Sequence, residues 1–319
     1  MVIITDAGRL RRRGSPRPGK VLMPSGLILI TIIALLFASS CMSGGGSQFT
    51  KNGQVKVVAA ENFWGDIVSQ IGDGHVSVKS IITSPSADPH LYESTASNAA
   101  AVATASIVVS NGAGYDDFMN RLLGASGTHP TVVSVQKVMG AGGANQNPHF
   151  WYDIEKVPAV AGAIERALES SDPKNASSYK ANLQSFDASL KPITDVIDQI
   201  KAKYAGAPVA YTERVPEYLL NEAGLKVVSP PGFARAIEDG NDPGPADTSA
   251  MNDLITGRKI RVLLYNSQAV SPVTQRLRSL AAQNGVPVVG ITETLPRPGE
   301  TYQQWQLDQA TAILKALGG

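Results

Sequence analysis

Short apolar runs rich in valine alternate with segments of helical periodicity along most of this chain, and this alternation limits the folds available to it. In the first half, the runs predict strands at residues 55–60, 76–82, 107–110 and 131–135. In the second half, they predict strands at residues 208–212, 226–229, 261–265 and 286–290. Strands that alternate with helices form parallel sheets covered by crossover helices, so the sequence predicts an α/β fold.

Helices are predicted between most of these strands. One covers residues 95–104, with Ser94 as its N-cap. Residues 230–245 are instead predicted to form a long loop, because they are rich in glycine and proline.

A stripe of apolar residues separates the two halves and runs from Asp172-Pro173 to about Tyr204. Its members are Leu183, Phe186, Leu190, Ile193, Ile197 and Ile200. A helix of about 30 residues is about 45 Å long at 1.5 Å per residue, and Pro192 within it is expected to kink or split it. A coiled coil is the competing interpretation of this stripe. The predicted architecture has two lobes, each with a roughly four-stranded, mostly parallel sheet flanked by helices, joined by one long rigid helix.

The N-terminus is predicted to be a secretory signal. The first 40 positions contain six basic residues and one acidic residue, and all seven precede a short apolar segment at residues 27–38. The small residues that follow, and then Cys41, resemble the lipobox of bacterial lipoproteins, in which the cysteine is lipidated; a free thiol is the alternative. The predicted divisions are a signal peptide at 1–40, a lipidated tether at 41–54, an N-terminal lobe at 55–171, a linking helix at 172–204 and a C-terminal lobe at 205–319.

Beyond residue 40 the chain has 22 basic and 26 acidic residues, so it carries no basic face of the kind that binds nucleic acid. Cys41 is the single cysteine, and stability must therefore come from the core rather than from disulfides.

The carboxyl ends of parallel strands are where ligands bind in such sheets, and this rule sorts the candidate polar residues. His75 and His129 precede predicted strands, whereas His90 and His149 follow them. The second half has no histidine, but Glu213 and Glu293 follow two of its predicted strands.

Two neutral imidazoles and two carboxylates would neutralise a divalent cation, which makes them a suitable ligand set for Zn²⁺, Mn²⁺ or Fe²⁺. Each residue has a simpler alternative. His149 could be a buried structural histidine, His90 a turn residue, Glu213 an acid at a helix N-terminus and Glu293 a solvated loop acid. Asp153, Glu61 and Asp88 also lie near strand ends, as partners of ligands or as caps.

Several motifs, in this order and spacing, resemble the metal-binding lipoproteins of bacterial ABC importers for zinc and manganese. The matching stretches are Asp88-Pro89-His90, Asn111-Gly112-Ala113-Gly114, Asn147-Pro148-His149-Phe150-Trp151-Tyr152-Asp153, Asp172-Pro173 and Ile291-Thr292-Glu293. The resemblance implies two α/β lobes, a stiff connecting helix and a metal between them. It also implies His90, His149, Glu213 and Glu293 as metal ligands, an ABC permease in the cytoplasmic membrane as partner, and a monomer.

The resemblance is informative about the metal as well. The third ligand is histidine in many zinc importers and glutamate in many manganese importers, and here it is Glu213. Zinc members often carry a His-rich loop before the second motif, but residues 141–146 contain no histidine. Both features favour Mn²⁺, although most nitrogen and oxygen sites bind Zn²⁺ more tightly. A further departure is Tyr115, which stands where the family often has leucine.

Three functions are compatible with this set of residues. The favoured one is a solute-binding protein that captures zinc or manganese outside the cytoplasmic membrane. A secreted metallohydrolase could use the same residues, but its metal would need an open position for water. A surface adhesin would not require the metal at all.

Overall fold

The computed structural model describes residues 53–84, 92–143 and 145–319. Cys41, Asp88 and His90 lie outside these ranges, as do the predicted signal peptide and most of the tether. Within the described residues, no helix has the length and apolar character that crossing a membrane requires.

The first sheet contains four parallel strands in the order β2-β1-β3-β4. They are β1 (Val55–Glu61), β2 (Val76–Ile82), β3 (Ile107–Ser110) and β4 (Thr131–Ser134). The central strand β1 is buried along almost its whole length, as expected for a parallel strand covered on both faces.

The second sheet repeats the same topology, with the order β6-β5-β7-β8 and every neighbour parallel. Its strands are β5 (Pro208–Tyr211), β6 (Lys226–Val227), β7 (Val262–Asn266) and β8 (Val288–Ile291). The strand predictions are therefore confirmed in number, direction and approximate position. Below, "N-terminal lobe" means the first sheet with its helices, and "C-terminal lobe" means the second.

Helices cover the faces of both sheets. In the first part of the chain they are α1 (Asn62–Gly72), α2 (Ala96–Ala103), α3 (Asp117–Ala125), α4 (Val135–Val138) and α5 (Val157–Ser171). Two connecting helices follow, α6 (Ala176–Ser189) and α7 (Lys191–Tyr204). The last are α8 (Glu217–Glu222), α9 (Pro231–Glu238), α10 (Pro245–Thr256), α11 (Pro272–Gln283) and α12 (Tyr302–Leu317).

The predicted long helix is split as its proline suggested. Only Leu190, itself in a right-handed helical conformation, separates α6 from α7, and Pro192 lies in the first turn of α7. A proline fits there because its missing N–H has no partner in the first turn. The apolar stripe of the two connecting helices is covered by other helices of the same chain. Helix α6 packs on α1 and α5, whereas α7 packs on α12. This packing contradicts the coiled-coil interpretation.

Two local predictions are wrong. Residues 231–238 of the predicted loop form α9, which buries Phe233, Ala234 and Ile237 on one face. Pro231, which is typical of a loop, occupies the first turn of the helix. The N-cap of α2 is Thr95 rather than Ser94, because the Thr95 side chain accepts a hydrogen bond from Asn98 N.

An aromatic cluster joins the two lobes beneath the carboxyl ends of the strands. The Phe63 ring lies 4.4 Å from that of Trp151 and 5.8 Å from that of Trp305 on α12. Tyr302 on the same helix donates a hydrogen bond to Trp151 O at 2.6 Å. Both lobes belong to one compact unit, and this buried aromatic contact opposes their separation.

Candidate metal centre

Three of the four predicted ligands lie in buried loops within the described residues, and two of them, His149 and Glu293, are in contact. His149 precedes a short 3-10 helix formed by Phe150–Tyr152, Glu213 comes two residues after β5, and Glu293 comes two residues after β8. Their exposed fractions are 0%, 1% and 0%. The alternative of a solvated loop acid is therefore wrong for Glu293, and Glu213 precedes α8 by four residues rather than starting it. His90 lies outside the described residues.

One contact between the lobes sets the geometry of the site. His149 Nε2 lies 3.4 Å from Glu293 Oε2, and both side chains are fully buried. Two ligands bonded at about 2.1 Å to a tetrahedral cation lie about 3.4 Å from each other. The pair thus has the separation of two ligands of one metal ion.

Asn266 connects the two carboxylates of the C-terminal lobe. Its Nδ2 donates to Glu293 Oε1 at 2.6 Å and to Glu213 Oε2 at 3.0 Å. Among the residues that the structure describes, no group of three or more His, Cys, Asp or Glu side chains forms a metal-binding cluster. The set of four ligands therefore stays a prediction.

Asn147 fixes the orientation and the tautomer of His149. Its Oδ1 lies 2.6 Å from His149 Nδ1 and accepts the backbone N–H of the same residue at 3.1 Å. Its Nδ2 donates to the carbonyl oxygen of Arg214 at 2.9 Å, and a carbonyl only accepts, so the amide cannot be flipped. Asn147 therefore holds a proton on His149 Nδ1, so that in the neutral imidazole the lone pair belongs to Nε2, the nitrogen that faces Glu293.

Asn147 also ties this histidine loop to the opposite lobe. Besides Arg214 O, its Nδ2 contacts Glu217 Oε2 at 2.9 Å. One amide thus orients the imidazole on one side and contacts the segment after Glu213 on the other. The sequence shows Asn147 only as part of the motif around His149, and nothing in that motif indicates this role.

Aromatic rings enclose the imidazole. The ring centroids of Tyr115 and Trp151 lie 5.8 Å and 5.2 Å from that of His149, both edge to face. The Tyr115 hydroxyl donates to Glu293 Oε2 at 3.0 Å. The residue that departs from the family pattern therefore contacts a predicted ligand directly.

Of the other acids near strand ends, Asp153 and Glu61 lie within the described residues, and both have other surroundings. Asp153 forms an ion pair with Lys156 at 2.9 Å. Glu61 precedes α1 without capping it, is fully buried and, with Asp116 nearby, has a pKa raised well above the usual range by burial. His75 and His129 lie just before β2 and β4, at the amino ends of the strands, as predicted.

Comparison with known proteins identifies the family. The family model described as zinc-uptake complex component A, periplasmic (ZnuA), matches residues 57–316. The chain belongs to this family. Its members are extracytoplasmic metal-binding components of ABC importers, which bind a solute without transforming it, so the metallohydrolase hypothesis is set aside.

Relatives of the chain include two named lipoproteins. It is 27% identical over 252 residues to the manganese-binding lipoprotein MntA of Bacillus subtilis, which covers 73% of this chain and 79% of the relative. It is 25% identical over 313 residues to the metal ABC transporter substrate-binding lipoprotein of Lactococcus lactis, which covers 88% and 96%.

A solved structure supports the fold. The periplasmic zinc-binding protein TroA of Treponema pallidum superposes with a TM-score of 0.72 at 20% identity, over 84% of this chain and 100% of that chain. The two parallel sheets and their connecting helices are thus a fold that this ZnuA-family chain shares with TroA.

Proposed function

We propose that this ZnuA-family protein captures Zn²⁺ or Mn²⁺ between its two lobes and delivers the ion to the permease of an ABC importer in the cytoplasmic membrane. The proposed ligands are His90 and His149 from the N-terminal lobe and Glu213 and Glu293 from the C-terminal lobe. The observation that carries the proposal is the buried contact of 3.4 Å between His149 Nε2 and Glu293 Oε2.

The charge of the proposed site suits a divalent ion. Two imidazoles that bind through neutral nitrogen, together with two carboxylates, cancel the charge of the cation, and the three of these side chains that the structure describes are buried. The tautomer set by Asn147 supports this role, because Nε2 of His149 offers a lone pair.

The relatives do not assign one metal. MntA is named for manganese and TroA for zinc. The glutamate at position 213 favours manganese by ligand type, whereas the general order of metal affinities favours zinc.

We also propose that Cys41 is lipidated and anchors the protein outside the cytoplasmic membrane as a monomer. Support comes from the sequence before Cys41 and from the two relatives that are named lipoproteins. Because aromatic contacts join the lobes beneath the site, we expect a small rearrangement on metal binding rather than wide closure.

Isothermal titration of the metal-stripped mature protein tests the site. His149→Ala should abolish or strongly weaken binding of Zn²⁺ and Mn²⁺, while His129→Ala serves as the matched control, because His129 is exposed at the opposite end of the strands. Unchanged affinity in His149→Ala would remove this residue from the site and would contradict the proposal.

A further inference from the structure

Asn266 lies at the end of β7 and contacts both acidic residues of the proposed site. It is 2% exposed. Its Nδ2 donates one hydrogen bond to Glu293 Oε1 at 2.6 Å and one to Glu213 Oε2 at 3.0 Å. An amide nitrogen carries two hydrogens, so these two bonds use its full donor capacity.

The orientation of the Asn266 amide is fixed by its other neighbours. Its Oδ1 accepts the backbone N–H of Gln268 at 2.9 Å, and an N–H can only donate. Its own backbone N–H donates to Thr212 Oγ1 at 3.0 Å. The amide nitrogen must therefore face the carboxylates.

The segment that carries Glu293 is held by the same loop. The Gln268 side-chain oxygen accepts the backbone N–H groups of Glu293 and Thr294. Its Nε2 donates to Thr294 Oγ1 at 2.7 Å. Gln268 thus hydrogen-bonds both to Asn266 and to the segment of Glu293, and this fixes the position of the Asn266 amide relative to the Glu293 carboxylate.

This arrangement limits how each carboxylate can meet a cation. Glu293 directs Oε1 to Asn266, whereas its Oε2 lies beside His149 Nε2 and accepts the Tyr115 hydroxyl. Glu213 likewise directs Oε2 to Asn266. For either residue to bind a metal with both oxygens, one oxygen would have to leave the buried amide, which would then lose a hydrogen bond.

We propose that Asn266 is a specificity-determining residue that makes Glu213 and Glu293 bind the metal through one oxygen each. The C-terminal lobe then supplies two ligand atoms instead of as many as four. Such a site favours Zn²⁺, which accepts four ligands, over Mn²⁺, which prefers about six. The inference rests on the proposed function and deepens it, and it opposes the preference for manganese that ligand type alone suggests.

The ratio of the two affinities tests this inference better than either affinity alone, because Zn²⁺ binds most nitrogen and oxygen sites more tightly than Mn²⁺. Competition titrations with a chromophoric chelator would give Kd(Mn)/Kd(Zn) for the wild type and for Asn266→Ser. Releasing the carboxylates should lower this ratio by about tenfold, the scale on which partners of metal ligands act.

Asn111→Ser is the matched control. Asn111 is the asparagine that follows the corresponding strand β3 of the other lobe, and its Nδ2 donates to Pro148 O at 2.8 Å rather than to a carboxylate. Its replacement should change both affinities together and leave the ratio where the wild type has it. A ratio that stays at the wild-type value in Asn266→Ser would overturn the inference.

The Co²⁺-loaded wild-type protein gives a second readout that does not depend on a variant folding. Four-coordinate Co²⁺ absorbs visible light much more strongly than six-coordinate Co²⁺, so an intense band supports the inference and a weak band overturns it. The His149→Ala variant distinguishes a failure of the proposed metal site from a failure of the role of Asn266 alone. If it leaves both metals bound as tightly as the wild type, the proposed site itself fails. If it abolishes binding while Asn266→Ser keeps the wild-type ratio, only the role of Asn266 fails.

Discussion

The two sheets share one topology, and in each a glutamate and an asparagine lie at the carboxyl ends of two neighbouring central strands. The two lobes use this pair differently. Ala59 pairs with Val109 in the first sheet, and Tyr211 pairs with Leu264 in the second. Two residues beyond the pair in the first sheet are Glu61 and Asn111. Two residues beyond the pair in the second sheet are Glu213 and Asn266.

The asparagines make the difference. Asn266 directs its amide nitrogen to Glu213. Asn111 instead directs its amide nitrogen to Pro148 O and accepts the Trp64 indole N–H. Within the described residues, neither carboxyl oxygen of Glu61 hydrogen-bonds to another residue. A glutamate at one backbone position is thus a candidate ligand in one lobe and a buried acid with a raised pKa in the other.

A position at the end of a strand is therefore not sufficient to make a carboxylate a candidate ligand. A carboxylate stays charged and correctly oriented only where donors surround it. In the N-terminal lobe the corresponding asparagine supports the histidine loop instead, through the carbonyl of Pro148.

The largest effect is expected from making the same substitution at the two glutamates. Glu213→Gln should weaken Zn²⁺ and Mn²⁺ binding by more than about 100-fold, because even the loss of a hydrogen-bond partner of a ligand costs about 10–100-fold. Glu61→Gln should leave affinity near the wild-type value. Isothermal titration of both variants measures this, and equal losses in the two would show that the lobes do not differ as described.

Changing Asn147 tests how the histidine is oriented. Asn147→Ala removes the acceptor at His149 Nδ1 and the contact with Arg214 O, so affinity should fall by about 10–100-fold. Gln146→Ala is the matched control, because it loses the bonds to the Tyr218 hydroxyl of the other lobe and to Asn147 O but leaves the Asn147 side chain in place. Similar losses in both variants would indicate a general effect on lobe contact rather than an effect on the imidazole.

Removing one hydroxyl tests the aromatic wall. Tyr115→Phe loses the hydrogen bond to Glu293 Oε2 and should lower affinity by about tenfold, mainly through faster metal dissociation. Stopped-flow release into excess chelator measures this rate. Tyr152→Phe loses a bond to Thr292 O instead, and its release rate should match that of the wild type; an unchanged rate in Tyr115→Phe would contradict the role of the hydroxyl.

The smallest expected effect concerns stability and pH. Because burial raises the pKa of Glu61 in the folded protein, the folded form keeps a proton that the unfolded form releases above about pH 4.3. Stability supplied by this group is therefore lost as pH rises. Glu61→Gln lacks this loss, so its Tm should exceed that of the wild type by a few degrees at pH 8, where about 1 kcal/mol corresponds to roughly 2–4 °C in a large domain.

The difference in Tm between Glu61→Gln and the wild type should shrink towards pH 4. Asp66 and Asp116 also have raised pKa values because of burial, but they are present in both proteins. A difference in Tm that is constant with pH would show that folding does not raise the pKa of Glu61.

The sequence predicted the strands well because valine-rich runs separated by helices leave few alternatives, and the strand-end rule then selected His149, Glu213 and Glu293. It missed α9, because the Pro-Pro-Gly at 230–232 suggests a loop although a proline suits the first helical turn. It also missed Asn266 and Asn147. An asparagine carries no ligand signal of its own, and its role depends on acceptors that only the tertiary structure brings near.

Anomalous diffraction from crystals of the metal-loaded protein tests the central claim most directly, with data at the zinc and manganese absorption edges. The account predicts one peak about 2.0–2.2 Å from His149 Nε2 and from one oxygen each of Glu213 and Glu293. A peak bound by other residues, or by only one of the two lobes, would contradict it.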